Sequence, residues 1–239
     1  MSSPTPQVEQ GRGLVAIGDS ITRGSGEAML GLRMQSWALW LAEALGMPYT
    51  CLAVNGARAS DALRDQVPRL RGKYELACVY LGVNDVRAPD WQHETYAEAL
   101  EGVVAAAVSE SSAQLLLKLP PAIGRPPAPS SAIEAANRTI EGIAQLHGIP
   151  VLDLSSLHGS ELVLPDAVHL TARGEAHVAL LACRALGMTA DQRELSEALA
   201  PLRLSARLRY ATGAGATVEL RDWRRRTGER IHRWLESRS

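Results

Sequence analysis

The chain contains no phenylalanine and only two lysines, Lys73 and Lys118. This bias towards arginine and alanine is typical of a GC-rich bacterial genome and indicates nothing about mechanism. The chain also has only three cysteines, Cys51, Cys78 and Cys183, an odd number, and each lies in an apolar context. We therefore predict reduced thiols in the core, and neither a disulfide nor a metal site.

Long apolar runs are missing, since none approaches the roughly 20 residues that a membrane-spanning helix needs. Residues 1–11 are polar and have neither the basic start nor the apolar segment of a secretory signal. A formal net charge of −1 provides no overall field that would favour nucleic acid or an anionic membrane. We expect a cytoplasmic protein with no transmembrane segment and no nucleic-acid partner.

Several motifs that carry catalysis or cofactor binding are absent as well. No Gly-x-Ser-x-Gly is present, which excludes the nucleophile elbow of α/β-hydrolases. The chain has no His-Glu-x-x-His, no glycine-rich phosphate-binding loop and no Cys-x-x-Cys pair. We expect an activity that needs neither a metal nor another cofactor.

Short apolar runs instead alternate with helix-like segments, a pattern that predicts a parallel sheet with helices on both faces. Predicted strands occupy residues 14–17, 49–54, 76–81, 115–119 and 150–154. Predicted helices occupy residues 36–45, 60–70, 91–109, 131–147 and 171–186. Most of the strands are nearly continuous apolar runs, as expected for a sheet covered on both faces. These units predict one compact domain over residues 12–187.

An arginine-rich extension follows at residues 190–239. It is predicted to hold a short helix, a hairpin and a terminal helix at residues 191–199, 202–220 and 222–236, the last capped by Asp222. Its apolar face could pack on the main domain or join two copies in a homo-oligomer. Alternatively, its basic residues could bind a membrane surface or an acidic ligand.

The most informative motif is Gly18-Asp19-Ser20, directly after the apolar run 14–17. A strand that ends in a small polar turn can deliver a hydroxyl to the edge of the sheet. Such a serine becomes a nucleophile when an imidazole accepts its proton, and its oxyanion intermediate needs preorganised donors. Gly56 and Asn84, at the ends of the next two strands, are candidate donors because one exposes its N–H closely and the other carries an amide.

Asp166 lies three residues before His169, a spacing that can place a carboxylate against one ring nitrogen of the imidazole. The other nitrogen is then free to accept the proton of Ser20. Asp90 and His93 have the same spacing. We interpret Asp90 as a helix cap and His93 as a surface residue of the first helical turn.

In this order, four sequence blocks resemble those of the SGNH (GDSL) hydrolase superfamily over residues 12–187. The blocks are Gly18-Asp19-Ser20-Ile21, Asn55-Gly56, Gly82-Val83-Asn84-Asp85 and Asp166-Ala167-Val168-His169. The place of the last block, after the fifth predicted strand, favours it over the pair at residues 90 and 93. The resemblance implies a flavodoxin-like three-layer α/β/α sandwich with a five-stranded parallel sheet.

The resemblance also implies an activity and its residues. Ser20 would be the nucleophile, with His169 as base and Asp166 as its partner. The oxyanion hole would consist of the N–H groups of Ser20 and Gly56 and the side chain of Asn84. The activity implied is that of an esterase, lipase or thioesterase acting on a small-molecule acyl ester or thioester without a cofactor.

The residues beside these blocks are mostly apolar, which favours an acyl ester over a phosphate or a charged sugar. Predicted substrate contacts are Asp19, Ile21, Val86, Ala167, Val168 and Leu170. Residues 24–31 could form a rim or lid through Met29 and Leu30, or a plain solvent loop. The proline-rich residues 119–129 must form an irregular loop, either a stiff wall of the pocket or a connection without a role.

Three functions remain open from the sequence. The first is hydrolysis of a carboxylic ester or thioester. The second is transfer of the acyl group to a sugar or another alcohol, which would use the same residues. The third is a non-catalytic binding or assembly role of the arginine-rich extension, in which Ser20 would be silent.

Overall fold

In the computed structural model, which describes residues 12–28, 32–187 and 193–200, five parallel strands form one sheet. The strands are Leu14–Gly18 (β1), Tyr49–Cys51 (β2), Tyr74–Tyr80 (β3), Ser111–Leu117 (β4) and Val151–Leu152 (β5). Their order in the sheet is β2-β1-β3-β4-β5, so that β1 lies between β2 and β3. The predicted five-stranded parallel sheet of a flavodoxin-like fold is confirmed.

Helices cover both faces of this sheet. They are Ser20–Arg23 (α1), Trp37–Ala44 (α2), Ala59–Asp61 (α3), Val83–Val86 (α4), His93–Glu110 (α5), Ser130–His147 (α6), Ala172–Ala185 (α7) and Arg193–Ala198 (α8). α2, α7 and α8 contact one another in one layer, and α3, α5 and α6 form the second. Every residue of β1 is buried, because both of its faces are covered.

The differences from the predicted elements have local causes. β4 begins four residues before the predicted strand, because its first residues are polar and partly exposed and therefore lack the apolar signal. The predicted helix at residues 60–70 is instead α3 followed by a π-helical turn, Ala62–Gln66, and a 3-10 turn, Val67–Arg69. Pro68 in that last turn cannot donate a backbone hydrogen bond, so a regular helix cannot continue through it.

The start of the extension packs on the domain. Leu195 of α8 is buried, and α8 contacts α2 and α7. The guanidinium of Arg173 on α7 donates hydrogen bonds to the carbonyl oxygens of residues 198–200 at 2.7–3.1 Å. Arg173 therefore satisfies backbone carbonyls that the end of α8 leaves without intrahelical partners. The predicted hairpin and terminal helix of the extension lie outside the described residues.

The three cysteines are free thiols, with Cys78 and Cys183 buried and Cys51 half-buried. Burial raises the pKa of the Cys78 thiol far above its ordinary value. In the part of the chain that the structure describes, no helix combines the length and the apolar character needed to cross a membrane.

A buried acid connects α7 with the start of α2. Glu175 on α7 is completely buried, and its Oε2 accepts a hydrogen bond from the Trp37 N–H at the start of α2 at 2.8 Å. Its Oε1 has no hydrogen-bond partner among the described residues. Burial, opposed by the Trp37 bond and reinforced by the charge of Asp19, raises the pKa of Glu175 well above its ordinary value. The carboxyl group is therefore neutral in the folded protein at mildly acidic pH.

We predict that Glu175→Gln stabilises the fold increasingly as the pH rises. In the wild type the unfolded chain ionises near pH 4.5 while the folded chain still holds the proton, so stability falls above that pH. The variant lacks this loss, and the difference in unfolding free energy should grow by up to about 1.4 kcal/mol per pH unit towards the folded-state pKa. Urea unfolding of the wild type and the variant at pH 5 to 8 measures this difference. Exposed Glu98→Gln is the control, and a pH-independent difference for Glu175→Gln would contradict a neutral buried carboxyl.

Candidate active site

The candidate nucleophile lies where β1 ends in the middle of the sheet. Gly18 pairs with Tyr80 of β3, and a Cβ atom on Gly18 would overlap the Thr22 hydroxyl and lie 2.8 Å from the Tyr80 carbonyl oxygen. Only glycine therefore allows the chain to turn here without displacing its neighbours. Asp19 follows as the N-cap of α1, and its Oδ1 accepts the Ile21 N–H at 2.9 Å. This turn holds Ser20 as the first residue of α1.

The structure brings Ser20, His169 and Asp166 together. The Oγ of Ser20 lies 2.9 Å from the Nε2 of His169, although the two residues are 149 positions apart in the chain. The Nδ1 of the same ring lies 2.6 Å from the Oδ2 of Asp166. The side chains of His169 and Asp166 are 23% and 21% exposed, so substrate and water can approach the imidazole while most of the pair is shielded.

Asp166 also orders its own turn. Its Oδ1 accepts the N–H groups of Val168 at 2.9 Å and His169 at 3.0 Å, which leaves Oδ2 for the imidazole. Burial alone would raise the pKa of Asp166, but the hydrogen bonds from the His169 ring and from these backbone groups outweigh it and hold the pKa below its ordinary value. The group is therefore an anion at neutral pH, as an imidazolium partner requires.

The backbone of this turn is strained at Ala167, whose φ of 55° lies in the left-handed region. The Ala167 N–H donates to the Leu164 carbonyl at 2.9 Å, and its carbonyl accepts the Gly124 N–H at 2.7 Å. Gly124 belongs to the proline-rich segment, which forms the predicted irregular loop between β4 and α6. This loop therefore holds the Asp166 turn by a direct backbone hydrogen bond.

Asn84, the first candidate oxyanion donor, lies at the start of α4 and is half-buried. Its Nδ2 donates to the Ala57 carbonyl at 3.0 Å and makes a longer contact of 3.3 Å with the Oδ2 of Asp19. Burial, opposed by the Ile21 hydrogen bond and the nearby His169, raises the pKa of Asp19 to about 6. The amide is thus anchored by one strong hydrogen bond, and its second N–H is held only weakly.

Gly56, the second candidate donor, is exposed in the turn after β2. Its φ of +78° is a conformation that glycine adopts without strain. The N–H of the next residue, Ala57, is taken by the Val54 carbonyl at 3.1 Å, and the Gly56 N–H forms no hydrogen bond within the described residues. The turn therefore leaves one exposed backbone donor, and the Ala57 carbonyl next to it anchors Asn84.

The predicted substrate contacts lie deeper than expected. Asp19, Ile21, Val86, Val168 and Leu170 are all at most 8% exposed. A direct contact of these side chains with substrate stays a prediction. Met29 and Leu30 lie outside the described residues.

The rival pair at Asp90 and His93 differs from the first one. The predicted cap role of Asp90 is wrong, because Gln92 is the N-cap of α5 and the Asp90 carboxylate binds the Arg58 guanidinium at 3.0 Å instead. Asp90 lies two residues before that N-cap, so it is not at the position from which a side chain caps the helix. His93 is exposed, as predicted, with its Nε2 2.8 Å from the Thr139 hydroxyl.

One buried residue beside the nucleophile was missed by the sequence analysis. Gln66, in the π-helical turn, is 1% exposed, and its amide binds both peptide groups of Gly18: Oε1 accepts the N–H at 3.0 Å and Nε2 donates to the carbonyl at 2.8 Å. A polar residue inside a predicted amphipathic helix carries no signal for such a contact. The Asp19 cap could have been found, because an aspartate directly before a short helical segment is a common N-cap.

The sequence model of the GDSL-like lipase/acylhydrolase family matches residues 16–177. No curated protein sequence matches the chain. Among solved structures, LAE5, an α/β hydrolase enzyme from the metagenome of Lake Arreo in Spain, is 22% identical, with 74% of this chain and 95% of that chain covered and a TM-score of 0.60.

Two further structures have the same fold. The lipase/acylhydrolase from Enterococcus faecalis is 22% identical, with 73% of this chain and 95% of its own covered and a TM-score of 0.58. Axe2, an acetylxylan esterase from Geobacillus stearothermophilus, is 21% identical, with 74% and 95% covered and a TM-score of 0.57. Because the family match spans well over half of the chain and contains all four sequence blocks, the protein belongs to the GDSL-like lipase/acylhydrolase family and is a carboxylic ester hydrolase.

Proposed function

We propose that the protein hydrolyses carboxylic esters or thioesters of small molecules through an acyl-enzyme on Ser20. The observation that carries this proposal is the continuous contact from the Ser20 hydroxyl through the His169 ring to the Asp166 carboxylate, at 2.9 and 2.6 Å. A hydroxyl in contact with an imidazole, itself held by a carboxylate, is the arrangement that activates serine for acyl transfer.

In the first half of the reaction, the Oγ of Ser20 attacks the carbonyl carbon of the ester while the Nε2 of His169 takes the hydroxyl proton. The carbonyl π bond becomes a lone pair on the oxyanion. His169 then gives the same proton to the alcohol oxygen, or to the sulfur of a thioester, as its bond to carbon breaks. The anionic Asp166 stabilises the imidazolium that exists between these two transfers.

The oxyanion is proposed to accept hydrogen bonds from the N–H groups of Ser20 and Gly56 and from the Nδ2 of Asn84. The geometry of Asn84 supports this assignment, because the Ala57 carbonyl fixes one amide hydrogen and the 3.3 Å contact with Asp19 constrains the other only weakly. A developing negative charge in this position is a better acceptor than a carboxylate at that distance. Donors held ready in this way need no reorganisation when the charge forms.

In the second half, water replaces the released alcohol or thiol. His169 takes a proton from the water as its oxygen attacks the acyl carbon, and the tetrahedral intermediate uses the same donors. Its collapse breaks the bond to Ser20 and returns the proton from His169 to the Oγ. The products are one carboxylic acid and the regenerated enzyme.

We predict that Ser20→Ala lowers kcat for p-nitrophenyl acetate by at least about 10⁴-fold, because no covalent intermediate can form. Ser112→Ala is the matched control, because this exposed serine lies at the amino end of β4, whereas the site lies at the carboxyl ends of the strands. It should keep the wild-type rate within twofold. The initial rate of p-nitrophenol release measures the activity of both variants. Equal rates for wild type and Ser20→Ala would refute the proposed nucleophile.

We predict that Asn84→Ala lowers kcat by about 10²- to 10³-fold with little change in KM, because one transition-state donor is lost. Asn137→Ala is a matched control, since that asparagine binds the N–H and carbonyl of Leu119 at 2.8 and 3.0 Å and serves only the fold. The control should lose thermal stability and keep its kcat. An unchanged kcat for Asn84→Ala, or an equal loss in both variants, would remove Asn84 from the oxyanion hole.

A further inference from the structure

A cleft lies between the turn after β2 and the start of α5. This cleft has a volume of about 180 Å³. Its lining consists of Arg58, Ser60, Asp85, Asp90, Trp91, Gln92, Thr95 and Tyr96. None of these residues takes part in the proposed reaction, and the family match alone gives the cleft no role.

The charge of the lining excludes an anionic occupant. It contains one guanidinium, Arg58, and two carboxylates, Asp85 and Asp90. Burial, opposed by hydrogen bonds from the Ala59 N–H, raises the pKa of Asp85 to about 6, so that it is still mostly ionised at neutral pH. A phosphate or carboxylate would meet net negative charge here, and an alkyl chain would have to desolvate the exposed charges of Arg58 and Asp90.

The ion pair between Arg58 and Asp90 can separate at little cost in free energy. Arg58 and Asp90 lie 3.0 Å apart, and their side chains are 39% and 67% exposed. An ion pair this exposed contributes little to stability because water competes for both partners. A ligand that both donates and accepts hydrogen bonds can therefore bind between them, donating to the carboxylate and accepting from the guanidinium. Hydroxyl groups have that dual capacity.

Aromatic side chains form the remaining wall. Tyr96 is buried, and its hydroxyl donates to the Leu81 carbonyl at 3.3 Å. Trp91 is half-buried and leans on Tyr96 with ring centroids 5.3 Å apart. The two ring planes are tilted by 49°, and the indole lines the cleft together with Gln92 and Thr95. A flat aromatic wall with hydroxyl-binding groups around it suits a ring that is apolar on its face and polar at its edge.

We propose that this cleft binds the sugar part of a neutral acylated saccharide, with its hydroxyls on Arg58 and Asp90 and its ring face on Trp91. This inference rests on the proposed function, because it names the alcohol that Ser20 chemistry would release. It assigns no acyl group.

Two residues of the cleft lining are close to the proposed oxyanion donors along the chain, so we expect one molecule to reach both places. Arg58 follows Gly56 by two residues, so their Cα atoms lie at most roughly 7.6 Å apart. Asp85 is the neighbour of Asn84, and its carboxylate accepts the Ala59 N–H at 3.1 Å. The two turns that carry the proposed donors Gly56 and Asn84 therefore also form part of the cleft wall.

Two acetate esters of primary alcohols, 6-O-acetylglucose and ethyl acetate, test the inference because only the alcohol differs. For Arg58→Ala and Trp91→Ala we expect kcat/KM for 6-O-acetylglucose to fall about tenfold, mainly through KM, because the first variant loses a charge-assisted hydrogen bond and the second loses the contact with the sugar ring. For ethyl acetate it should stay within twofold. Arg64→Ala is the matched control, since this exposed arginine pairs with Asp61 and Asp65 outside the cleft lining.

Equal losses on both esters, or no loss on either, would overturn the inference. The inference would also be overturned if the loss of kcat/KM in Trp91→Ala depended on the length of the acyl chain, from acetate to hexanoate, and not on the alcohol. Binding of 6-O-acetylglucose to Ser20→Ala and to Ser20→Ala/Arg58→Ala, followed by saturation-transfer NMR, gives a readout without turnover. Binding that needs Arg58 supports the proposed sugar site in the cleft, whether or not the wild type hydrolyses an ester. If the wild type hydrolyses no ester, only the proposed function is refuted. Ester hydrolysis without such binding would refute the cleft alone.

Discussion

The site depends on the constraint that parallel strands place all their carboxyl ends at one edge of the sheet. β1 lies between β2 and β3, so the turns that follow these three strands are neighbours although they are far apart in sequence. They carry Ser20, Gly56 and Asn84, respectively. The segment after β5 returns to the same edge and brings His169 to within 2.9 Å of Ser20. Ligands of open α/β sheets bind at such an edge for this reason.

Keeping that edge in one arrangement requires polar groups in places where they are costly to bury. Gln66 binds both peptide groups of Gly18, and the buried Asp19 holds the start of α1 while contacting Asn84. Each of these contacts satisfies a buried donor or acceptor and at the same time limits how Ser20 and Asn84 can move. At Ala167 the backbone is strained, and the hydrogen bond from the Gly124 N–H to the Ala167 carbonyl holds it in this conformation. The site is therefore rigid on the side of Ser20 and on the side of His169.

The sequence predicts the layers of this fold well because buried parallel strands leave an apolar signal, as in residues 14–17 and 76–81. It also predicts candidate site residues, since each of them lies in a short block next to a predicted element. These residues are Ser20, Gly56, Asn84, Asp166 and His169. The polar start of β4, the Gln66 clamp and the ion pair of Arg58 with Asp90 could not be predicted. They depend on which segments meet in space, and a single polar residue has no periodicity that would reveal its partner.

The proposed reaction depends on the activation of Ser20 by His169. A p-nitrophenyl alkylphosphonate tests this activation, because attack releases p-nitrophenol and leaves a stable phosphonyl group on the attacking oxygen. Peptide mass mapping then locates the adduct. We expect one adduct on Ser20 in the wild type and a rate of labelling at least about 10³-fold lower in His169→Ala. An adduct on another residue, or equally fast labelling of the two proteins, would contradict it.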